Sequence, residues 1–160
     1  MAIDTVIVHH ISLPPGHFRG DAIERLFTNR LDWDAHSYYQ RIRGLRVSAH
    51  FLLRRDGRAL QFVSCEQRAW HAGQSRFRGR GTCNDFSIGI ELEGTDETPY
   101  AEVQYRCLAG IVAALRRAYP GIAPDAIAGH ADIAPGRKTD PGPAFEWPKL
   151  AGLLDDSRLA

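Results

Sequence analysis

Several features that would announce a function class are scarce or missing from this chain. It has three cysteines, Cys65, Cys83 and Cys107, an odd and widely spaced set with no CxxC pair. That argues against a thiolate metal cluster and leaves small apolar core residues, with a reducing compartment as the expectation. Net charge is nearly absent: 20 basic residues against 19 acidic ones leave +1, so no general attraction to nucleic acid or to a membrane surface is expected. No apolar run approaches a membrane span, and the opening MAIDTVIVHH goes straight into a strand-like run without the charged-then-apolar layout of a secretion signal. There is no internal repeat, no low-complexity segment and no short HExxH-type metal signature.

What remains is an ordinary globular composition over 160 residues, 44% hydrophobic and 24% charged, read as one domain spanning residues 1–160. TVIVH at 5–9 is short and β-branched, a buried strand that the PPG at 14–16 breaks. Residues 21–27 and 34–42 read as helices, with Asp21 and either Asp32 or Asp34 as caps. The stretch 47–63 reads as a hairpin around Asp56–Gly57, and SIGIELEG at 87–94 as a strand. A long helix is expected from Thr98 and Pro99, with Val103, Cys107, Leu108, Ile111, Val112 and Leu115 as its apolar stripe and Pro120–Gly121 as its stop. AIAGH at 126–130 reads as a short strand and WPKLAGLLDD as a terminal helix. This order predicts an α/β fold, a central mixed β-sheet flanked by helices. The arginine-rich RFRGRG at 76–81 is either a small anion-facing patch or a solvated loop.

Chemistry concentrates in the histidines, seven in all, and in the loop GHADIAPGRKTDPGP at 129–143. That loop is too rich in proline and glycine for a flexible linker and too polar for a core, which suits a site. His9 and His130 both end predicted strands, where ligands of open α/β sheets gather. Asp140 follows His130 by ten residues across a proline-rich turn. Two imidazoles and a carboxylate with an open fourth position make a catalytic zinc arrangement. Against this, an isolated histidine is more often a hydrogen-bonded structural residue than a ligand. Successive strand residues point to opposite faces, so only one of His9 and His10 can serve.

The blocks VIVHHISLPPG, LRVSAHFLLRRDG, RAWHAG, CNDFSIGIELEGTD and GHADIAPGRKTDPGP stand in order along nearly the whole chain. In them the chain resembles the zinc-dependent N-acetylmuramoyl-L-alanine amidases of the amidase-2 and peptidoglycan-recognition-protein superfamily. Within it the chain is most similar to the cytoplasmic branch that cleaves 1,6-anhydro-muropeptides during cell-wall recycling. The resemblance implies Zn²⁺ held by His9, His130 and Asp140, and catalytic roles for Glu91 and Lys138. It implies a small-molecule muropeptide substrate, no nucleic-acid or membrane partner, a monomer and a cytoplasmic location. Glu93, two residues from Glu91 and on the same strand face, is its rival or its support. Arg46, Trp70, His71, Asn84 and His10 are candidate substrate contacts. His50 either lines the cleft or sits in the core, and His17 and His36 belong to the surface. Ala49 stands where other branches carry a catalytic tyrosine, which leaves proton transfer to Glu91. Thr82 stands where a basic substrate contact is expected, with Arg80 as a substitute. A muropeptide receptor without catalysis would lack a full ligand set. A secreted hydrolase of intact wall would carry a leader or a wall-binding module.

Overall fold

The computed structural model describes residues 2–156. In chain order the elements are β1 (Thr5–Ile11), α1 (Ala22–Phe27), α2 (Ser37–Arg41), β2 (Phe51–Leu53), β3 (Ala59–Gln61), β4 (Arg76–Phe77), β5 (Arg80–Gly81), β6 (Ser87–Glu93), α3 (Glu102–Ala118), β7 (Ile127–Gly129), α4 (His130–Ile133) and α5 (Trp147–Asp156). A single 3₁₀ turn at Cys83–Asp85 leads into β6. The main sheet has the order β3-β2-β6-β1-β7. β1 runs parallel to both β6 and β7, β2 runs parallel to β6, and β3 alone is antiparallel. The sheet is therefore mixed and flanked by helices, as the element order leads one to expect.

The two central strands are the runs in which β-branched residues crowd together, because both of their faces are covered. Val6, Ile7 and Val8 have no exposure, and all seven residues of β6 are buried. On one face Val6, Val8, Ile88, Ile90 and Leu92 pack against Leu108, Val112 and Leu115 of α3 and Leu150 and Leu154 of α5. On the other, Leu13, Leu52 and Ala49 gather Ile23, Leu26 and Phe27 of α1 and Tyr39 of α2 into a second apolar cluster.

Several boundaries differ from the sequence expectation, each for a local reason. α3 starts at Glu102, not near Thr98, and its entry is held by the Gln104 side chain, which accepts from the Ala101 backbone N–H at 3.0 Å. The residues before it are occupied elsewhere: Thr95 and Thr98 bond each other, and the Tyr100 hydroxyl donates to the Pro141 carbonyl at 2.8 Å. α2 is confined to Ser37–Arg41, because His36 caps it by accepting from the Tyr38 N–H. Asp34 instead pairs with Arg43, and Asp32 accepts from the Asp34 N–H in a turn. Asp21 precedes α1 but its carboxylate goes to Arg25. In the 47–63 hairpin only three residues pair on each strand, around Gly57 at φ +85°. The last expected strand ends at Gly129, and His130 opens the short helix α4.

Candidate active site

The site forms where β1, β6 and the exit of β7 end side by side. His9 of β1 is the register partner of Glu91 of β6, so adjacent strands project an imidazole and a carboxylate from the same sheet face. β7 delivers His130 to the first turn of α4, whose start is tied by the Asp132 carboxylate accepting from the Gly129 N–H at 2.7 Å. The chain then loops back until the Asp140 carbonyl accepts from the Ala131 N–H at 2.9 Å. Asp96 braces that return: its carboxylate meets His10 Nε2 at 2.7 Å and Thr139, while its carbonyl accepts from the Ala144 N–H. Any side chain at Gly142 would strike Asp96, since a Cβ there would lie only 2.4 Å from the Asp96 Cα, so this close approach requires glycine.

The result is a tight triangle. His9 Nδ1 lies 2.9 Å from His130 Nδ1, and each lies 3.0 Å from Asp140 Oδ2. Burial lowers the pKa of His9 to about 4, against the pull of the Asp140 carboxylate, so the ring is neutral. Burial alone would raise the Asp140 carboxyl, but the close approach of the His130 and His9 rings outweighs that and holds it below the usual carboxylate range. His130 Nε2 faces the Ala72 carbonyl at 3.0 Å. A carbonyl only accepts, so the proton sits on Nε2 and Nδ1 turns a lone pair inward. Three electron-rich atoms thus share at most one proton, that of His9. A cation with nitrogen and oxygen preference fits this donor set, and His9, His130 and Asp140 can hold a metal.

Glu91 is buried beside the triangle, and its Oε2 has no hydrogen-bond partner. Burial, then the negative charge of Asp140, pushes its pKa well above the ordinary carboxylate value. Such a group is poised to take up a proton. Lys138 is exposed on the loop, and Glu91, His130, Lys138 and Asp140 together line the floor of a cleft of about 740 Å³. Apolar residues including Leu13, Phe27, Tyr38 and Leu45 form one wall of that cleft.

The other expected residues divide sharply. His10 and Trp70 line the cleft, and Trp70, 56% exposed, carries the Arg68 guanidinium over its ring. His71 also lines it, though its ring lies mostly under the site, with Nδ1 at 2.9 Å from His9 Nε2. Arg46 is exposed but outside the cleft lining. Asn84 is not a cleft residue: it is buried, and its Oδ1 accepts from the backbone N–H groups of His71 and Ala72. Glu93 is not a second base but the partner of Arg54, at 2.6 Å. His50 belongs to the core, accepting from the Gly89 N–H and facing the Gln67 carbonyl. His17 and His36 are exposed. Arg80 does not stand in for a base at Thr82, because it pairs with Asp4 and stacks on Phe86. Arg78 of the same arginine run pairs with Asp125. Sequence reasoning missed Arg137, which donates to the Ala72 carbonyl at 2.8 Å behind His130, and Asp96. Neither carries a local signal, since each acts on a segment distant in sequence.

Known proteins show the same arrangement of chain. The family model described as N-acetylmuramoyl-L-alanine amidase, Amidase_2, matches residues 1–143. A 1,6-anhydro-N-acetylmuramyl-L-alanine amidase AmpD of Salmonella typhimurium (strain SL1344) is 56% identical over 149 residues, 93% of this chain and 79% of that protein. The crystal structure of a selenomethionine AmpD derivative superposes with a TM-score of 0.94 at 52% identity, covering 96% of this chain and 86% of that one. The amidase AmiD of E. coli, in complex with anhydro-N-acetylmuramic acid-L-Ala-D-γ-Glu-L-Lys, gives a TM-score of 0.68 at 31% identity, covering 94% of this chain and 57% of that one. By the extent of the family match and of the likeness to AmpD, this chain belongs to the N-acetylmuramoyl-L-alanine amidase family.

Proposed function

We propose that the chain hydrolyses the amide between the lactyl group of 1,6-anhydro-N-acetylmuramic acid and the L-alanine of the stem peptide, as a zinc enzyme of muropeptide recycling. The observation that carries the reading is the triangle of His9, His130 and Asp140, whose His130 and Asp140 line the cleft, beside a buried Glu91 with an unpartnered Oε2. The identity to AmpD proteins and the substrate bound to AmiD support the choice of amide. Two imidazole nitrogens and one carboxylate suit zinc better than magnesium or calcium, which favour oxygen. When bound, zinc supplies a Lewis acid that acidifies water and polarises a carbonyl.

Glu91 accepts the proton of the water that attacks the lactyl carbonyl. As the carbon–nitrogen bond breaks, Glu91 returns that proton to the alanine nitrogen, which leaves as an amine. The ammonium of Lys138 faces the charge that develops on the carbonyl oxygen. His10 and Trp70 line the substrate's path, and the apolar wall gives the sugar a surface from which water is excluded.

The test is mass spectrometry of products from a soluble anhydro-muropeptide and from intact wall sacculi. Release of a peptide with a free L-alanine amine from the soluble substrate is expected, stopped by a chelator and restored by zinc. Cleavage at any other bond, or release unaffected by chelation, contradicts the proposal.

A further inference from the structure

The two histidines of the triangle are steered by one short segment. His130 Nε2 donates to the carbonyl of Ala72, and His9 Nε2 meets the ring of the neighbouring His71. The direction of the second contact follows from a chain of bonds that ends in the backbone. The Ser87 hydroxyl spends its only proton on the Cys83 carbonyl, at 2.6 Å, so towards His71 Nε2 its oxygen can only accept, across a long 3.4 Å. His71 therefore carries its proton on Nε2 and presents a bare Nδ1, which accepts from His9 Nε2 at 2.9 Å. His9 is left with its Nδ1 lone pair facing Asp140 and His130. The last proton in the triangle is thereby removed.

Both backbone N–H groups of the segment converge on a single buried atom. Asn84 Oδ1 accepts from the N–H groups of both His71 and Ala72, at 3.1 and 2.8 Å. The sheet is shaped to receive it: a Cβ on Gly89 would lie 2.3 Å from the His71 ring, so β6 leaves a side-chain-sized gap there for the imidazole. Arg137 closes the far side by donating to the carbonyls of Ala72 and Gln74.

We propose that Asn84 and His71 are positioning residues of the amidase, through which the 71–72 segment presents both histidine lone pairs to one ion. This rests on the reading of His9, His130 and Asp140 as the metal ligands. Partners that orient metal ligands typically change affinity by about 10–100-fold when removed. The expectation that Asn84 and His71 contact substrate gives way to a role behind the ligands, one step further from the reaction.

The experiment measures zinc affinity by chelator competition, alongside imidazole nitrogen NMR and steady-state kinetics on a soluble anhydro-muropeptide. The variants are His71→Phe, Asn84→Ala, Asn84→Asp and Gly89→Ala, each checked for its fold by circular dichroism. His71→Phe and Asn84→Ala are expected to weaken zinc binding by about 10–100-fold. At saturating zinc, kcat should fall while KM stays within about twofold, and the His9 Nε2–H resonance should shift or vanish in His71→Phe. Asn84→Asp keeps an acceptor oxygen at the same point and should recover most of the affinity. Gly89→Ala should resemble His71→Phe, because it displaces the ring without changing its chemistry. Zinc affinity and the His9 resonance unchanged in folded His71→Phe would overturn the proposal, as would a raised KM with kcat intact. If His9→Ala leaves zinc binding intact, the reading of the ligands fails instead, which separates the two outcomes.

Discussion

Towards the C-terminal ends of the central strands, the two faces of the sheet are equally dry and chemically opposite. Towards α3 and α5, Val8, Ile90 and Leu92 are buried among other apolar side chains. One residue along each strand, His9, Glu91 and Glu93 are nearly as buried, among His50, His71, Arg54 and Asp140. Strand alternation alone puts these two environments back to back, less than one sheet thickness apart. The apolar face gains from every side chain that leaves water. The polar face must find a partner for each buried group, and at Glu91 it does not. The difference locates the function: the unpartnered Glu91 carboxyl and the proton-poor triangle are costs to folding that a bound cation offsets.

The largest expected effect breaks the polar face chemically. Glu91→Gln should lower kcat/KM by about 10²–10⁴-fold with the metal still bound, read by kinetics beside metal analysis; turnover near that of the unaltered protein would remove Glu91 from proton transfer. Next, Arg54→Met leaves Glu93 buried without its 2.6 Å partner and should cost about 3–5 kcal/mol in denaturant unfolding. Adding Glu93→Leu should recover most of that loss, since packed apolar groups replace the uncompensated charge. On the other face, Leu108→Ala should cost about 2–5 kcal/mol while zinc affinity and kcat stay unchanged, which separates a stability face from a chemical one.

The smallest effect concerns pH. Because the folded state raises the pKa of Glu91, the folded metal-free protein binds a proton that the unfolded chain has already released. The cost of ionised Glu91 is absent below the ordinary carboxylate pKa, grows as pH rises from there, and levels off above the raised folded value. Metal-free Glu91→Gln should therefore have a higher Tm than the unaltered chain at about pH 8 and an equal one at about pH 4. Equal Tm differences at both values would contradict it.

The fold was readable because the central strands and α3 have simple periods, a β-branched run and an apolar stripe, that depend on nothing distant in the chain. Boundaries were less so. Thr98 and Pro99 have good helix-start chemistry, but Tyr100 is drawn down to the Pro141 carbonyl, a tertiary bond with no local trace. Gly89 interrupts a strand of larger residues, and its reason lies in another segment, in the ring of His71. Residue type and strand ends singled out His9, His130 and Asp140, whereas the choice between His9 and His10 needed the resemblance. The roles of Asn84, Arg137 and Asp96 were illegible because each acts through backbone groups of another segment.

The central claim is that amide hydrolysis takes place at one metal held by His9, His130 and Asp140. The most direct measurement is a zinc titration of chelator-stripped protein, following release of L-alanine-terminated peptide, with His130→Ala in parallel. The account predicts activity that rises linearly and stops at one zinc per chain, and none in the variant. Full turnover in the stripped protein, or a variant restored by the same single equivalent, would contradict it.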